Sequence, residues 1–323
     1  MNQSVLVAGE TLVDFIPDRS GSLSTVSQFE RRPGGAPANV AVGLSRLERP
    51  PAFWTRVGDD PFGHYLTGVL AEHGIPDRFV ETDADAQTPL AFVTHDEAGD
   101  RTFSFYRDGT ADTRLEPGSI DDSALTEFEW VHAGGVTLSS GRSRAATLDL
   151  LERAADRGCT VSFDPNVRPE LWPDGTTLER VGHEALAHTD VCKATVEELE
   201  ALGCTGATPE AIARDALEIG PHTVFLTRGS EGAMAVTDGD DRPPEPDTVF
   251  EHPGFDVDVV DTTGAGDAFV AGLIDSLRAG RDLESTLTFA SAIAAQATTE
   301  PGAMTALPTR AAVEAFLASV DEC

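Results

Sequence analysis

The chain has 323 residues, room for one large domain or two ordinary ones with a full apolar core and no need of disulfide or metal staples. Its 23 Lys+Arg stand against 55 Asp+Glu, a formal net charge of -32. That balance excludes general DNA or RNA binding, which needs clustered cations, and excludes attraction to an anionic membrane surface, but leaves a small anionic ligand in a local pocket open.

In chain order, the opening SVLVAGE reads as a buried strand, followed after a loop by the helix PANVAVGLSRL with Val40, Leu44 and Leu47 at helical spacing. Strands are predicted at PAFWTRVG, FEWVHAGG, CTVSFDPN, DVCKA and HTVFLTRG. Helices at PFGHYLTGVLAEHG, SRAATLDLLERAADRG, TLERVGHEALAHT and AIARDALEIG separate them. This βαβ series predicts an α/β fold, a three-layer α/β/α arrangement with a mostly parallel central sheet and ligands at the carboxyl ends of its strands. Residues 11–32 and 87–110 break the alternation, the second reading as strands TPLAFVTHD and DRTFSFYR around the turn Glu97-Ala98-Gly99-Asp100. Both stretches are assigned to a small β-sheet lid, and residues 1–10, 33–86 and 111–323 to the core; the alternative is a pair of long surface hairpins. The acidic, proline-rich run DGDDRPPEPD (238–247) reads as a solvated loop.

Lys193 is the only lysine, every other cation of this type being arginine. A carboxylate-rich, lysine-poor surface suits hydration in concentrated salt and predicts a halophilic protein; the alternative is an acidic mesophilic one from an arginine-favouring genome. Cys159, Cys192, Cys204 and Cys323 match neither a zinc site nor a disulfide framework, which places the chain in a reducing compartment. With no basic leader and no apolar run of about 18 residues, the expectation is a soluble, cytoplasmic protein. A Walker A loop is excluded, because the single lysine follows Cys192 rather than glycine. His183, Glu184 and His188 have the wrong spacing for a helix-borne zinc site and read as surface groups.

The strongest local signal is DVDVVDTTGAGDAFVAGLIDSL, read as a strand ending near Asp261, a turn with Gly264 and Gly266, and a long apolar helix. The N–H groups of Gly264, Ala265, Gly266 and Asp267 would form a phosphate cradle at the helix start. A carboxylate in such a cradle either takes a proton from an attacking hydroxyl or serves as helix N-cap, and both readings of Asp267 stay open at this point. In RRPGGAPANVAVGL, Gly34 and Gly35 precede a proline-started helix with Asn39 in its first turn. These groups could bind a polyhydroxylated ligand, or form a plain loop before a helix.

Together, GGAPANVA (34–41) and DTTGAGDAF (261–269) resemble the two signatures of the ribokinase/PfkB family of carbohydrate kinases. The likeness extends to the element order, the inserted lid, the GETLVDF opening and the TRGSEGA turn (227–233). It implies an ATP-dependent sugar kinase using Mg2+, with Asp267 as the base for a sugar hydroxyl and the amides of Gly264, Ala265, Gly266 and Asp267 around the moving phosphoryl group. By the same resemblance Asp14, Gly34, Gly35 and Asn39 hold the sugar, and Thr227, Gly229 and Gly232 lie along the nucleotide. Asp261 falls near a monovalent-cation (K+) site, and Glu198 matches an acid linked to Mg2+ through water, with Thr195 where the family motif has Asn. Lys193 reaches either the ATP phosphates or a helix C-terminus.

Arg107 and Arg168 are expected to converge on the sugar, surface ion pairs being the alternative. FYRDGTAD together with Pro37 resembles the fructokinase branch, whereas two arginines would also suit a sugar acid such as 2-keto-3-deoxygluconate. A nucleoside kinase of the same family and a catalytically inactive sugar-binding regulatory module are further readings. The resemblance also suggests a homodimer through the lid. The expected partners are therefore a sugar and ATP, with no nucleic acid and no membrane.

Overall fold

The computed structural model describes residues 5–95, 101–238 and 248–321. The turn 97–100, nearly all of the acidic run 238–247, and Cys323 lie outside the described residues. The chain begins with β1 (Val5–Ala8), β2 (Leu12–Pro17), β3 (Phe29–Gly34), α1 (Ala36–Arg46), β4 (Ala52–Gly58), α2 (Pro61–Glu72) and β5 (Val80–Asp83). Next come β6 (Leu90–His95), β7 (Arg101–Tyr106), α3 (Asp122–Leu125), β8 (Trp130–Gly134), α4 (Ser143–Asp156), β9 (Thr160–Asp164) and α5 (Gly175–Leu186). They are followed by β10 (Val191–Ala194), α6 (Val196–Ala201), α7 (Pro209–Leu217), β11 (Thr223–Thr227), β12 (Ala233–Thr237) and β13 (Thr248–His252). Four helices end the chain: α8 (Ala265–Arg278), α9 (Leu283–Ala297), α10 (Ala303–Ala306) and α11 (Arg310–Asp321).

Nine strands form one sheet in the order β13-β12-β11-β10-β9-β8-β1-β4-β5. The strands from β11 to β5 pair in parallel, and only the β12 and β13 pairings are antiparallel. Both faces of this sheet are covered, which is why β1 is apolar at every position: Leu6 and Ala8 enter one core cluster, Val5 and Val7 the other. Trp54, Phe163 and Leu199 belong to the first cluster; Phe53, Phe225 and Phe269 to the second.

The strand order turns back on itself between β1 and β8, and a crevice at the carboxyl ends of such a pair is where ligands bind in open α/β sheets. Pro37, near the start of α1, packs against Gly9 and Gly134 at the ends of these two strands, and so seats the α1 N-terminus over the crevice.

A second sheet, ordered β3-β2-β6-β7, is built from the segments that broke the βα alternation. Phe15 and Phe92 stack at 4.8 Å between centroids, and Phe29 meets Phe92 edge-on at 5.4 Å. Among the described residues no helix is long and apolar enough to cross a membrane. Cys159, Cys192 and Cys204 are free and buried.

Two expectations fail locally. Residues 253–261 form no strand, despite the alternating DVDVV: β13 ends at His252, Pro253 lacks a ladder donor, and Gly254 turns the chain at φ 83°. The segment is pinned instead by Val260 and Asp261 N–H groups donating to the Thr298 carbonyl, and Val259 and Val260 stay 61% and 62% exposed. His183 is half-buried rather than on the surface, with Nε2 2.7 Å from the Leu202 carbonyl.

Candidate active site

Two helix starts meet over the crevice. Gly264 caps α8 in the left-handed region at φ 77°, and a Cβ there would fall 2.9 Å from Ala303 Cα, so the tight turn demands glycine. Asp267 follows three residues later, in the first turn of α8, and is not the N-cap. Only 7% exposed, it accepts a 2.7 Å hydrogen bond at Oδ2 from Nδ2 of Asn39, which sits in the first turn of α1. Burial pushes the Asp267 carboxyl up to about 7. The Asn39 bond, Lys193 and Arg168 pull it down, while Asp164 adds to the rise. Asn39, expected to hold sugar, therefore also holds the carboxyl group; its Oδ1 is buried without a partner. Of the four amides expected in the cradle, that of Ala265 turns back to the Thr262 carbonyl at 3.3 Å.

Asp267 and Asn39 line a cavity of about 100 Å³ together with Glu10, Asp14, Arg168 and Gly35. Asp14, on β2, lies against Gly34, where a Cβ would fall 2.1 Å from its Oδ2; the first glycine of the pair makes room for this carboxylate. Burial pushes the Asp14 carboxyl to about 7 as well, with Arg168 lowering it and Asp267 raising it. Arg168 donates to the Val167 carbonyl at 3.0 Å and lies 5.8 Å from the Phe103 ring centre. Arg107 lines neither this cavity nor its neighbour: its guanidinium is buried, bonded to Asp112 and, at 2.8 Å, to Ser139 Oγ. It is thus an internal ion pair rather than a surface one.

Lys193 does not reach a helix C-terminus. It extends from β10 towards the opposite pole, the start of α8, where its Nζ would lie 3.1 Å from a Cβ on Gly266. Nζ donates to Asp164 Oδ2 at 3.1 Å. Burial opposes the ammonium charge, but Asp164 and Glu198 outweigh it and hold its pKa above the ordinary lysine value. Glu198 and Thr195 form a reciprocal cap at the start of α6, Thr195 N–H donating to Oε2 at 2.8 Å and Glu198 N–H to Thr195 Oγ1 at 3.2 Å. Oε1 of Glu198 accepts from Val167 N–H at 3.1 Å. Both carboxylate oxygens are therefore occupied by backbone donors, and each retains a lone pair for a coordinated water. Burial raises the Glu198 pKa, against the pull of Lys193. Among the described residues no group of three or more His, Cys, Asp or Glu is placed to hold a metal ion directly.

A smaller cavity of about 70 Å³ adjoins the first, sharing Asp14 and Thr263 and adding Asp261 and Arg32. Asp261 ties two loops together, Oδ1 accepting from Thr263 N–H at 2.9 Å and Oδ2 from Gly302 N–H at 2.8 Å. Thr227 ends β11, and Gly229 and Gly232 belong to the turn after it, closed by Arg228 N–H on the Gly232 carbonyl at 2.8 Å; the three line neither cavity. The sequence reading missed Glu10, two residues past the end of β1, and Asp164, the last residue of β9; position at a strand's carboxyl end was the available signal.

A doubly covered, mostly parallel sheet, an open helix start and a buried carboxyl facing the cavity are parts that a kinase of small hydroxylated molecules requires. The model of the pfkB family carbohydrate kinases matches residues 2–310. A fructokinase of Klebsiella pneumoniae is 38% identical over 314 residues, covering 95% of this chain and 97% of its own. One of Vibrio alginolyticus is 36% identical, covering 98% and 99%. Among solved structures, a fructokinase of Xylella fastidiosa with bound ATP superposes with a TM-score of 0.88 at 30% identity, covering 99% and 100%. A fructokinase double mutant of Vibrio cholerae with fructose, ADP and potassium ion gives 0.83 at 34%, covering 97% of each chain. The chain belongs to the pfkB family of carbohydrate kinases.

Proposed function

We propose that this protein is an ATP-dependent fructokinase in which Asp267 takes the proton of the attacking primary hydroxyl. The observation that carries the chemistry is the buried Asp267 carboxyl, fixed by Asn39 at the mouth of α8 and raised to about 7, a proton acceptor tuned close to neutral pH. Fructokinase relatives along the whole chain support the substrate. Asp14, Gly35, Asn39 and Arg168 hold the sugar in the larger cavity, and Gly34 leaves the space that Asp14 needs beside it. The open amides at the start of α8 and the Lys193 ammonium meet the charge of the moving phosphoryl group.

Mg2+ enters as part of its ATP complex and neutralises phosphate charge; Glu198, with its lone pairs but no free oxygen, suits a contact to metal-bound water. Asp261, which knits Thr263 to Gly302, is the place for a monovalent cation such as K+. Residues 11–32 and 87–110 act as the lid, and its edge strands β3 and β7 offer a surface for a homodimer.

Two measurements test the proposal. ADP release is expected with fructose in a panel that includes ribose, 2-keto-3-deoxygluconate and nucleosides, at both low and molar salt; silence throughout would leave a sugar-binding module without catalysis. Second, kcat/KM for fructose is expected to fall about tenfold per pH unit below pH 7, because a carboxyl raised to about 7 by burial loses its function as base when protonated. A profile that stays flat from pH 8 to 5.5 removes Asp267 from the role.

A further inference from the structure

The larger cavity contains two acceptors that the protein itself leaves unanswered. Glu10 Oε2 and Asn39 Oδ1 are both buried without a hydrogen-bond partner, and both residues line this cavity. Glu10 cannot turn freely, because its Oε1 accepts the Ala36 N–H at the start of α1 at 3.1 Å. A buried acceptor of this kind costs free energy until a donor arrives. A hydroxyl is such a donor; a carboxylate is not.

The charge around the cavity points the same way. Three carboxyl groups line it, those of Glu10, Asp14 and Asp267, and Arg168 is its one cation among the described residues. Burial raises all three carboxyls to about 7, so each already resists carrying charge. The charges facing Glu10 are Arg107, which lowers its pKa, and Asp112, which raises it. Arg107 is bonded to Asp112 and does not line the cavity, so it supplies no second arm of a carboxylate clamp.

We propose that Glu10 is a specificity-determining residue whose Oε2 accepts a hydrogen bond from a substrate hydroxyl, so that the cavity selects a neutral polyhydroxylated sugar over a sugar acid. The inference rests on the kinase reading of the same site and names a residue beyond those already assigned to the sugar. A sugar acid would bring a fourth carboxyl group against the lone Arg168 and set an acceptor against an acceptor wherever it met Glu10.

The test is the Glu10→Gln variant, which keeps the side chain's size and a carbonyl for Ala36 but turns the second oxygen into a donor. Kinetics with ATP are compared on fructose and 2-keto-3-deoxygluconate at about pH 8.5, above the raised Glu10 value, where its carboxyl is ionised and both oxygens are acceptors. The wild type is expected to prefer fructose. In Glu10→Gln the fructose KM should rise about 10- to 100-fold with kcat within about threefold, and the preference over the sugar acid should narrow about tenfold. Glu10→Asp, which keeps the charge but withdraws it by one methylene, should raise KM without narrowing the preference. The fructose-induced rise in melting temperature reads the contact without turnover; it should be present in the wild type and lost in Glu10→Gln, whereas a purely structural role would lower the melting temperature of the free protein and leave the fructose-induced rise intact. A fructose KM within about twofold of wild type in Glu10→Gln overturns the proposal and leaves the kinase reading standing. A wild type that uses the sugar acid better than fructose overturns it too. Absence of phosphorylation across all sugars is the separate failure of the underlying reading, and the melting experiment still decides the role of Glu10.

Discussion

Replacing Asp267 by Asn is expected to lower kcat about 100- to 10,000-fold with fructose affinity little changed. The substitution keeps the shape at the start of α8, and the new amide can turn its oxygen to Asn39 Nδ2, which now donates to Asp267 Oδ2 at 2.7 Å. What disappears is the group that accepts the proton. Stability supplies an internal check with a defined sign. Because burial raises this carboxyl from 3.8 to about 7, the folded protein holds a proton that the unfolded chain has already released between those values. The resulting penalty is nearly absent below about pH 3, where both states are protonated, grows as pH rises from there, and is complete above about pH 7. Asp267→Asn should therefore melt at a higher temperature than the wild type at pH 8 and at nearly the same temperature at about pH 3. Loss of turnover with gain of stability is the signature of a functional carboxyl; near-normal turnover would refute the assignment.

The second large effect is expected at Lys193, which is 6% exposed and paired with Asp164, itself 3% exposed. Lys193→Met leaves that carboxylate buried and uncompensated, a loss of about 3–5 kcal/mol in urea unfolding. It also removes the positive charge beside Gly266, in the first turn of α8 that we propose faces the phosphoryl group, and kcat should drop about 100- to 1,000-fold. The double variant Lys193→Met/Asp164→Asn separates the two consequences, since it removes the stranded charge and should recover most of the stability without the turnover. If activity returns together with stability, Lys193 serves only the fold.

The main sheet was legible because its strands are short apolar runs and its helices carry helical periodicity, from VLVA in β1 to the apolar face of α8. Residues 253–261 misled because alternation reports only that a segment suits a strand, whereas a ladder also needs a partner, and none pairs with DVDVV. Thr195 and Glu198 carried a visible capping pattern that the resemblance to a metal-linked motif overshadowed. The helix start at Gly264 was legible because a glycine ahead of a long apolar helical run marks such a boundary, whereas the role of Asp267 stayed open on the residues alone. The bonds Asn39 to Asp267, Lys193 to Asp164 and Arg107 to Ser139 were not, because they join residues whose separation along the chain carries no local signal.

The Asn39–Asp267 bond spans 228 positions of the chain. At a ribosomal rate of about 5–20 residues per second, Asn39 is made roughly 11 to 46 s before its partner exists. From the start of that interval the nascent polypeptide holds Glu10, Asp14 and Asn39, but until its end it lacks Asp267, which lines the same cavity. On the proposed role of Asp267, an unfinished or prematurely released product cannot spend ATP on a sugar, and competence is conferred only when the last third of the message has been read.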